Sequence, residues 1–298
     1  MHLQLLPSFR IDKEKWNDCL ANSANPLIYA STDYLDRMTD NWDGIIGDDY
    51  SIIMPIPWRK KAGIKYCYDV SFIQQLGVFG KSVQQQDVEV CINFLMRAYK
   101  YGDYALNFLN NVVAGKASNN YMLSLASNYR STSSFYSDNL KSNLAKAEKH
   151  SFEYADASAE EAISIFQNLY SAKLPHITKD VYLKFYELCT VKAKENNLIV
   201  RKTILNVDVL AINLLLKDKF RIYNLMPSTT AEGKKISAGH FLLDNIIKEF
   251  SQTGLILDFE GSNIEGIERF YKSFGAINQP YYKIHFNRLP FLLRLFKR

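Results

Sequence analysis

Apolar positions in the second half of the chain fall into two alternating periods, and their order predicts a succession of strands and helices. SFEYADAS at 151–158 reads as a short strand leading into a helix over 159–172, capped by Ser158 with Glu161 at the capping-box position. A second helix is expected over 180–195. LIVRKTIL, VLAINLLL and FRIYNLM follow as three β-rich runs separated by the turn-like pieces NVD and KDK, which predicts adjacent antiparallel strands. In AGHFLLDNIIKEF, the spacing of Phe241, Leu242, Asn245, Ile246 and Phe250 suits an amphipathic helix over 238–251. Leu255, Leu257 and Phe259 then alternate with Ile256, Asp258 and Glu260, so a strand here turns its last two carboxylates to one face. Ser262 and Glu265 have capping-box spacing, Ile264, Ile267, Tyr271 and Phe274 recur at helical spacing, and Gly275 stops the helix. YYKIHF at 281–286 supplies a last strand. The order is β, α, α, β, β, β, α, β, α, β.

The first half repeats this mixture in a less regular form. YSIIMPIPW and GIKYCYDVSFIQQL, a helix over 86–100, the strand YALNFLNN, and YMLSLAS followed by a helix to Lys149 suggest a layered fold of mixed α and β structure. Two domains are expected, 1–149 and 150–298, with a connecting helix at about 132–149.

Composition narrows the classes of function. The chain has 298 residues, 47% of them hydrophobic, enough to bury two cores. Its net charge of +5 is mild, and the basic residues are scattered, which permits an anionic ligand without calling for DNA. The four cysteines, Cys19, Cys67, Cys91 and Cys189, are far apart and the five histidines form no ligand-spaced cluster, so neither a metal site nor a disulfide framework is expected. MHLQLLPSFRIDKEKW meets charged residues too early for a signal peptide's apolar core, and a cytoplasmic location is the expectation. GVFGKS, Gly77 to Ser82, ends like a phosphate-binding loop, but Gln75 stands where that motif requires its first glycine.

The element order, together with FYKSFGA at 270–276, resembles the GNAT acyltransferase superfamily. Many members carry an aromatic-Tyr-x-x-Gly-aromatic pattern on the helix after the fifth strand. Phe270-Tyr271-Lys272-Ser273-Phe274-Gly275 is similar, with one residue inserted before the glycine. DFEGS together with FYKSFG also resembles the two-domain Fem family, which transfers amino acids from aminoacyl-tRNA to cell-wall precursors. There the residue after the corresponding Phe is commonly Lys; Tyr271 here favours an acyl-CoA donor. The resemblance implies an α/β fold with a mixed sheet, built as two tandem GNAT-like acyltransferase domains of which the C-terminal one is complete. The N-terminal domain, with VVAGKASN where the FYKSFG copy would fall, is implied to be degenerate and to hold the acceptor.

It also implies site roles. Acyl-CoA is the co-substrate and an amine the acceptor, with tRNA a partner only in the Fem-like alternative and a decayed binding protein the third reading. Tyr271 would protonate the leaving thiolate and Glu260 would deprotonate the amine, while Asp258 is either a catalytic partner or an acceptor for the amides of the next turn. An amide near Leu225 or Met226 would meet the thioester oxygen. Lys234, Lys235, Ser237, Ala238 and Gly239 would cradle the pyrophosphate at a helix N-terminus, with Ser237 replacing the usual middle glycine. Periodicity alone suits Tyr271 as a core residue, and it is the motif that favours chemistry. His240 suits a cap or a ligand contact. The tail RLPFLLRLFKR suits either a helix docked on its own domain or contact with a membrane surface.

Overall fold

The computed structural model describes residues 2–112 and 115–290. They form two compact units, one using the chain up to Ser118 and resuming at Pro280, the other running over Asn119–Gln279. In chain order the first unit contributes β1 (Leu3–Pro7), α1 (Lys13–Ala21), α2 (Thr32–Met38), β2 (Trp42–Gly47), β3 (Ile52–Lys61), β4 (Ile64–Cys67), β5 (Phe79–Gly80), α3 (Gln85–Ala98), β6 (Tyr101–Ala105) and β7 (Lys116–Ser118). The second contributes β8 (Tyr121–Ser124), α4 (Tyr129–Ser134), α5 (Asp138–Ala147), β9 (Glu153–Asp156), α6 (Ala159–Tyr170), α7 (Lys179–Lys194), β10 (Leu198–Leu205), β11 (Asp208–Lys217), β12 (Arg221–Thr229), α8 (Ala231–Lys235), α9 (Ala238–Glu249), β13 (Ile256–Asp258), α10 (Glu265–Ser273) and β14 (Ile277–Asn278). The last strand, β15 (Tyr281–Asn287), returns to the first unit.

From β1 to β6, leaving out β5, and from β9 to β13, leaving out the short α8, the two units share one order: β, α, α, β, β, β, α, β. The sheets run β1-β2-β3-β4-β6-β15-β7, with β5 on β3, and β14-β8-β13-β12-β11-β10-β9. Each contains a central parallel pair, β4 with β6 and β12 with β13, inside otherwise antiparallel neighbours. The three expected strands of the second half form as predicted because β-branched runs flank a tight turn whose Asn206 takes φ 57°, a conformation Asn tolerates. Helix α6 begins where Ser158 Oγ accepts the Glu161 amide at 3.0 Å. Its apolar stripe, with that of α9, covers the central strands, and Leu242, Leu243, Ile246 and Ile247 of α9 are buried against Leu210, Ala211, Leu215 and Ile222.

Several expectations are revised. The units do not divide at 149/150. YMLSLAS belongs to the second sheet, where β8 lies between β13 and β14, and YYKIHF pairs with β6 and β7 in the first. The connecting helix is two helices, α4 and α5, and α5 packs on α9 within the second unit. No capping box forms at Ser262: its hydroxyl accepts the Ile264 amide and α10 starts at Glu265. Ile264 and Ile267 are exposed, which leaves Tyr271 and Phe274 as the buried part of that stripe. GVFGKS builds no phosphate cradle, because Phe79 and Gly80 are buried in β5 and the next helix begins only at Gln85. Of the C-terminal tail, residues 291–298 lie outside the described residues.

The first unit has closed the place where its parallel strands part. Beyond the Cys67↔Gly102 pair, Leu76 bridges Leu106, Val78 N–H donates to Asn110 Oδ1 at 2.6 Å, and Asn107 Nδ2 donates to the Val78 carbonyl at 3.1 Å. The chain fills its own wedge. Among the described residues no helix stands between β6 and β7.

Candidate active site

In the second unit the corresponding strands part after three pairs. Strands β12 and β13 pair only through Arg221↔Ile256, Ile222↔Leu257 and Tyr223↔Asp258. Past that point β13 stays with β8, with the Phe259 amide donating to the Tyr121 carbonyl at 2.9 Å, and β12 continues beside β11 alone. The divergence coincides with a bulge, since Met226 pairs with Leu214 and Tyr223 with Leu216, so that Asn224 and Leu225 stand opposite the single residue Leu215. Leu225 and Met226 therefore lie on the free stretch of β12, where backbone amides are released from the parallel ladder.

The turn after β13 is fixed by a buried ion pair. Arg221 Nη1 lies 3.0 Å from Asp258 Oδ2, with both side chains almost fully enclosed. Asn120 Nδ2 donates to the same carboxylate at 3.2 Å, and Asp258 Oδ1 accepts the Glu260 amide at 3.0 Å. Burial pushes the Asp258 carboxyl up, and Arg221 with these hydrogen bonds pulls against it. Its oxygens are thus engaged in holding the turn, which makes Asp258 a positioning group for Glu260. Glu260 takes φ 63° and Gly261 φ 52°, and a Cβ on Gly261 would lie 2.1 Å from the Asn119 carbonyl oxygen. That obstacle is backbone, so Gly261→Ala should destabilise the fold by about 1–3 kcal/mol in denaturant titrations.

Glu260 Oε1 is buried and has no hydrogen-bond partner among the described residues. Desolvation raises its carboxyl to about 8. A carboxyl so raised holds in the folded chain a proton that the unfolded chain would release. Its stabilising contribution is therefore complete below the ordinary value of 4.5 and is lost as pH rises through about 8. Glu260→Gln should accordingly melt above the wild type at high pH, with the gap closing toward pH 5; a gap independent of pH would contradict a desolvated carboxyl.

Tyr271, on α10, is buried with its ring stacked on Phe259 at a centroid distance of 4.8 Å and tilted against Tyr121 at 6.3 Å. Burial, followed by the charges of Glu260, Tyr170 and Asp258, holds its hydroxyl well above the ordinary phenol range, so it stays protonated at any working pH. Glu260, Tyr271 and Asp258 thus share one neighbourhood at the mouth of the wedge.

The loop expected to cradle a pyrophosphate is a separate piece of backbone between β12 and α9. Thr230 caps α8, its hydroxyl accepting the Gly233 amide at 3.0 Å, and Lys234 and Lys235 are exposed on that short helix. Ser237 occupies the left-handed region at φ 63° and hands its hydroxyl to Asn143 Oδ1 at 3.1 Å, so the position usually held by glycine retains the glycine conformation. Ala238 and Gly239 open α9 with amides of the kind a helix leaves free. A Cβ on Gly239 would come within 2.6 Å of Thr229 Oγ1, so glycine here lets α9 approach β12 closely. His240 packs on Phe270 at 4.9 Å, and burial lowers its imidazole value; it lies against the α10 aromatics beside the loop. An open groove of about 690 Å³ runs between α6 and α7, with Gln167, Asn168, Tyr182 and Tyr186 among its walls. Cys189 is a buried thiol pushed up to about 12 by desolvation, unsuited to a nucleophilic role.

Two buried polar residues beside these groups, Arg221 and Asn224, were not singled out by the sequence. Arg221, partner of Asp258, carried no local signal beyond being a cation at the start of an apolar strand. Asn224 did carry one: it is the single amide inside the apolar run IYNLM, and it is buried.

Comparison with known proteins places this architecture. Residues 134–273 match the family model described as the acetyltransferase (GNAT) domain. No curated protein sequence matches the chain. Among solved structures, FemX is similar at 11% identity over 100% of both chains, with a TM-score of 0.70. A tandem GNAT protein from the clavulanic acid biosynthesis pathway is similar at 9% identity over 97% of this chain and 99% of its own, with a TM-score of 0.56. L-PGS from Bacillus licheniformis is similar at 12% identity over 96% and 95%, with a TM-score of 0.54. The fold is that of the GNAT acyltransferase superfamily. In fold, the whole chain is similar to the two-domain arrangement of FemX and of the tandem GNAT protein. Among the described residues no helix is long and apolar enough to cross a membrane.

Proposed function

We propose that the protein is an N-acyltransferase that moves an acyl group from acyl-CoA directly to an amine on a small molecule or cell-envelope precursor. The observation that carries this reading is the parting of β12 and β13 after three pairs, with an unpartnered, desolvated carboxyl oxygen of Glu260 and the buried Tyr271 beside it. The donor's thioester arm enters the wedge, its carbonyl oxygen taking an amide of Leu225 or Met226 as charge develops. Lys234 and Lys235, with the amides at Ser237, Ala238 and Gly239, hold the pyrophosphate.

The acceptor amine loses its proton to Glu260 as it attacks, and the C–S bond breaks as the C–N bond forms. A carboxyl near 8 has released its own proton at mildly alkaline pH and can then take the amine's, so turnover is expected to rise with pH through about 8. Tyr271 donates its hydroxyl proton to the departing sulfur. Because an ordinary thiol ionises near 8.5 and Tyr271 holds its proton more tightly than an ordinary phenol, the tyrosine acts first as a hydrogen-bond donor to the developing thiolate. Glu260, protonated by the amine, then restores any proton Tyr271 gives up. The degenerate N-terminal half, bounded at residue 149 by the sequence and at Ser118 by the compact units, is proposed to hold the acceptor, since its own wedge is filled by Leu76–Val78 and Asn107–Asn110.

The Fem-like alternative, an aminoacyltransferase drawing on aminoacyl-tRNA, is favoured by the similarity to FemX. Free-thiol release from acetyl-CoA and longer acyl-CoAs, measured against a panel of amines, tests the acyl-CoA reading: amine-dependent thiol release supports it, and turnover confined to aminoacyl-tRNA overturns it. A second test concerns the loop. Lys234→Glu combined with Lys235→Glu should weaken acyl-CoA binding while leaving the ligand-free melting temperature nearly unchanged, because exposed charges contribute little to stability. Equal affinity in the double variant would move the phosphate site elsewhere.

A further inference from the structure

We infer that Asn224 is a donor-binding residue, its side-chain amide reading the amide-bearing arm of the acyl thioester from within the β12 bulge. The inference rests on the acyl-CoA reading above and adds to it a side-chain contact in a wedge otherwise described by backbone. Asn224 is 1% exposed, and neither its Nδ2 nor its Oδ1 has a hydrogen-bond partner among the described residues. A buried amide left without partners is unfavourable, and native proteins keep few of them unless a ligand or water completes the set.

Its placement supplies the ligand. The strand registers put Ile222, Leu257 and Leu215 on one face of the sheet, in the core on which α9 packs, and the bulge holds Asn224 and Leu225 opposite Leu215 on that face. Asn224 is also the first residue of β12 beyond the last β12–β13 pair, level with Phe259, on which Tyr271 stacks. Ser228, the other buried polar side chain of β12 without a partner, pairs in register with Ile212, one position out of step with the Ala211↔Thr229 pair beside Gly239, and so lies on the opposite face. Asn224 alone shares the face of Tyr271. An amide side chain offers a donor and an acceptor at one point, and the arm of a CoA thioester presents amide N–H and C=O groups that require both. A wedge built only for an apolar tail would place a hydrocarbon there.

The test uses Asn224→Leu, with Asn224→Ala as a smaller substitution should the leucine disturb packing, and reads two quantities: the melting temperature without ligand and the dissociation constant for acetyl-CoA. Asn224→Leu is expected to melt at or above the wild type, because it removes unpaired polar atoms, and to bind acetyl-CoA about tenfold or more weakly. A clear drop in the ligand-free melting temperature of both variants would show the amide bonded within the fold and overturn the inference. Unchanged affinity in both variants, with a wild type that binds, would overturn it while leaving the acyl-CoA reading intact. A wild type that binds no acyl-CoA overturns the acyl-CoA reading, and with it the assignment of Asn224 to that arm.

Discussion

Tyr271→Phe is expected to lower turnover by about 10²–10⁴, with acyl-CoA affinity and stability little changed. The substitution keeps the ring stacked on Phe259 and tilted against Tyr121, and removes only the hydroxyl. The loss corresponds to about 2.7–5.4 kcal/mol of transition-state stabilisation, which a packing role cannot supply. A core tyrosine would instead lose about 1 kcal/mol of stability with its hydrogen bond and leave turnover unaffected. Thiol release with a confirmed acceptor separates the two, and full turnover in Tyr271→Phe would return the residue to the core.

Arg221→Met should produce the largest loss of stability in the second unit, about 3–5 kcal/mol, because it strands Asp258 in an enclosed site. Two features distinguish this from a generic core defect. The burial that already pushes the Asp258 carboxyl up would push it further without Arg221, so the penalty should shrink as pH falls and the carboxyl takes a proton. Adding Asp258→Asn should recover most of the loss, since the amide carbonyl can still accept the Glu260 N–H while carrying no charge. Denaturant titrations at neutral and mildly acidic pH check both. A pH-independent penalty, unrelieved by the second substitution, would show that the Arg221 side chain is needed for packing and not for its charge.

What could be read from sequence follows from how local the determining interactions are. Strands β10 to β12 and helices α6, α7 and α9 were legible because each signals itself within a dozen residues, through a run, a cap at Ser158 or a stripe such as Leu242–Ile246. The crossing of strands was not legible. YMLSLAS and YYKIHF look alike as apolar strands, and only pairing with Asp258 in one case and Tyr104 in the other assigns them to opposite units. Ile264 and Ile267 kept the helical period yet remained exposed, because α10 begins only at Glu265 and turns only its last turn, with Tyr271, inward. The motif brought Tyr271 and Glu260 into view. The meaning of Asp258 depended on Arg221, a partner thirty-seven residues away that no spacing rule connects to it.

The central claim is that this wedge takes an acyl-CoA donor, and thermal unfolding with acetyl-CoA and longer acyl-CoAs tests it most directly. Ligand at about 100 times its dissociation constant should add about 2.7 kcal/mol of stability and raise the melting temperature measurably, with the shift reduced in the Lys234→Glu, Lys235→Glu variant. No shift with any acyl-CoA from micromolar to millimolar concentration would contradict the account.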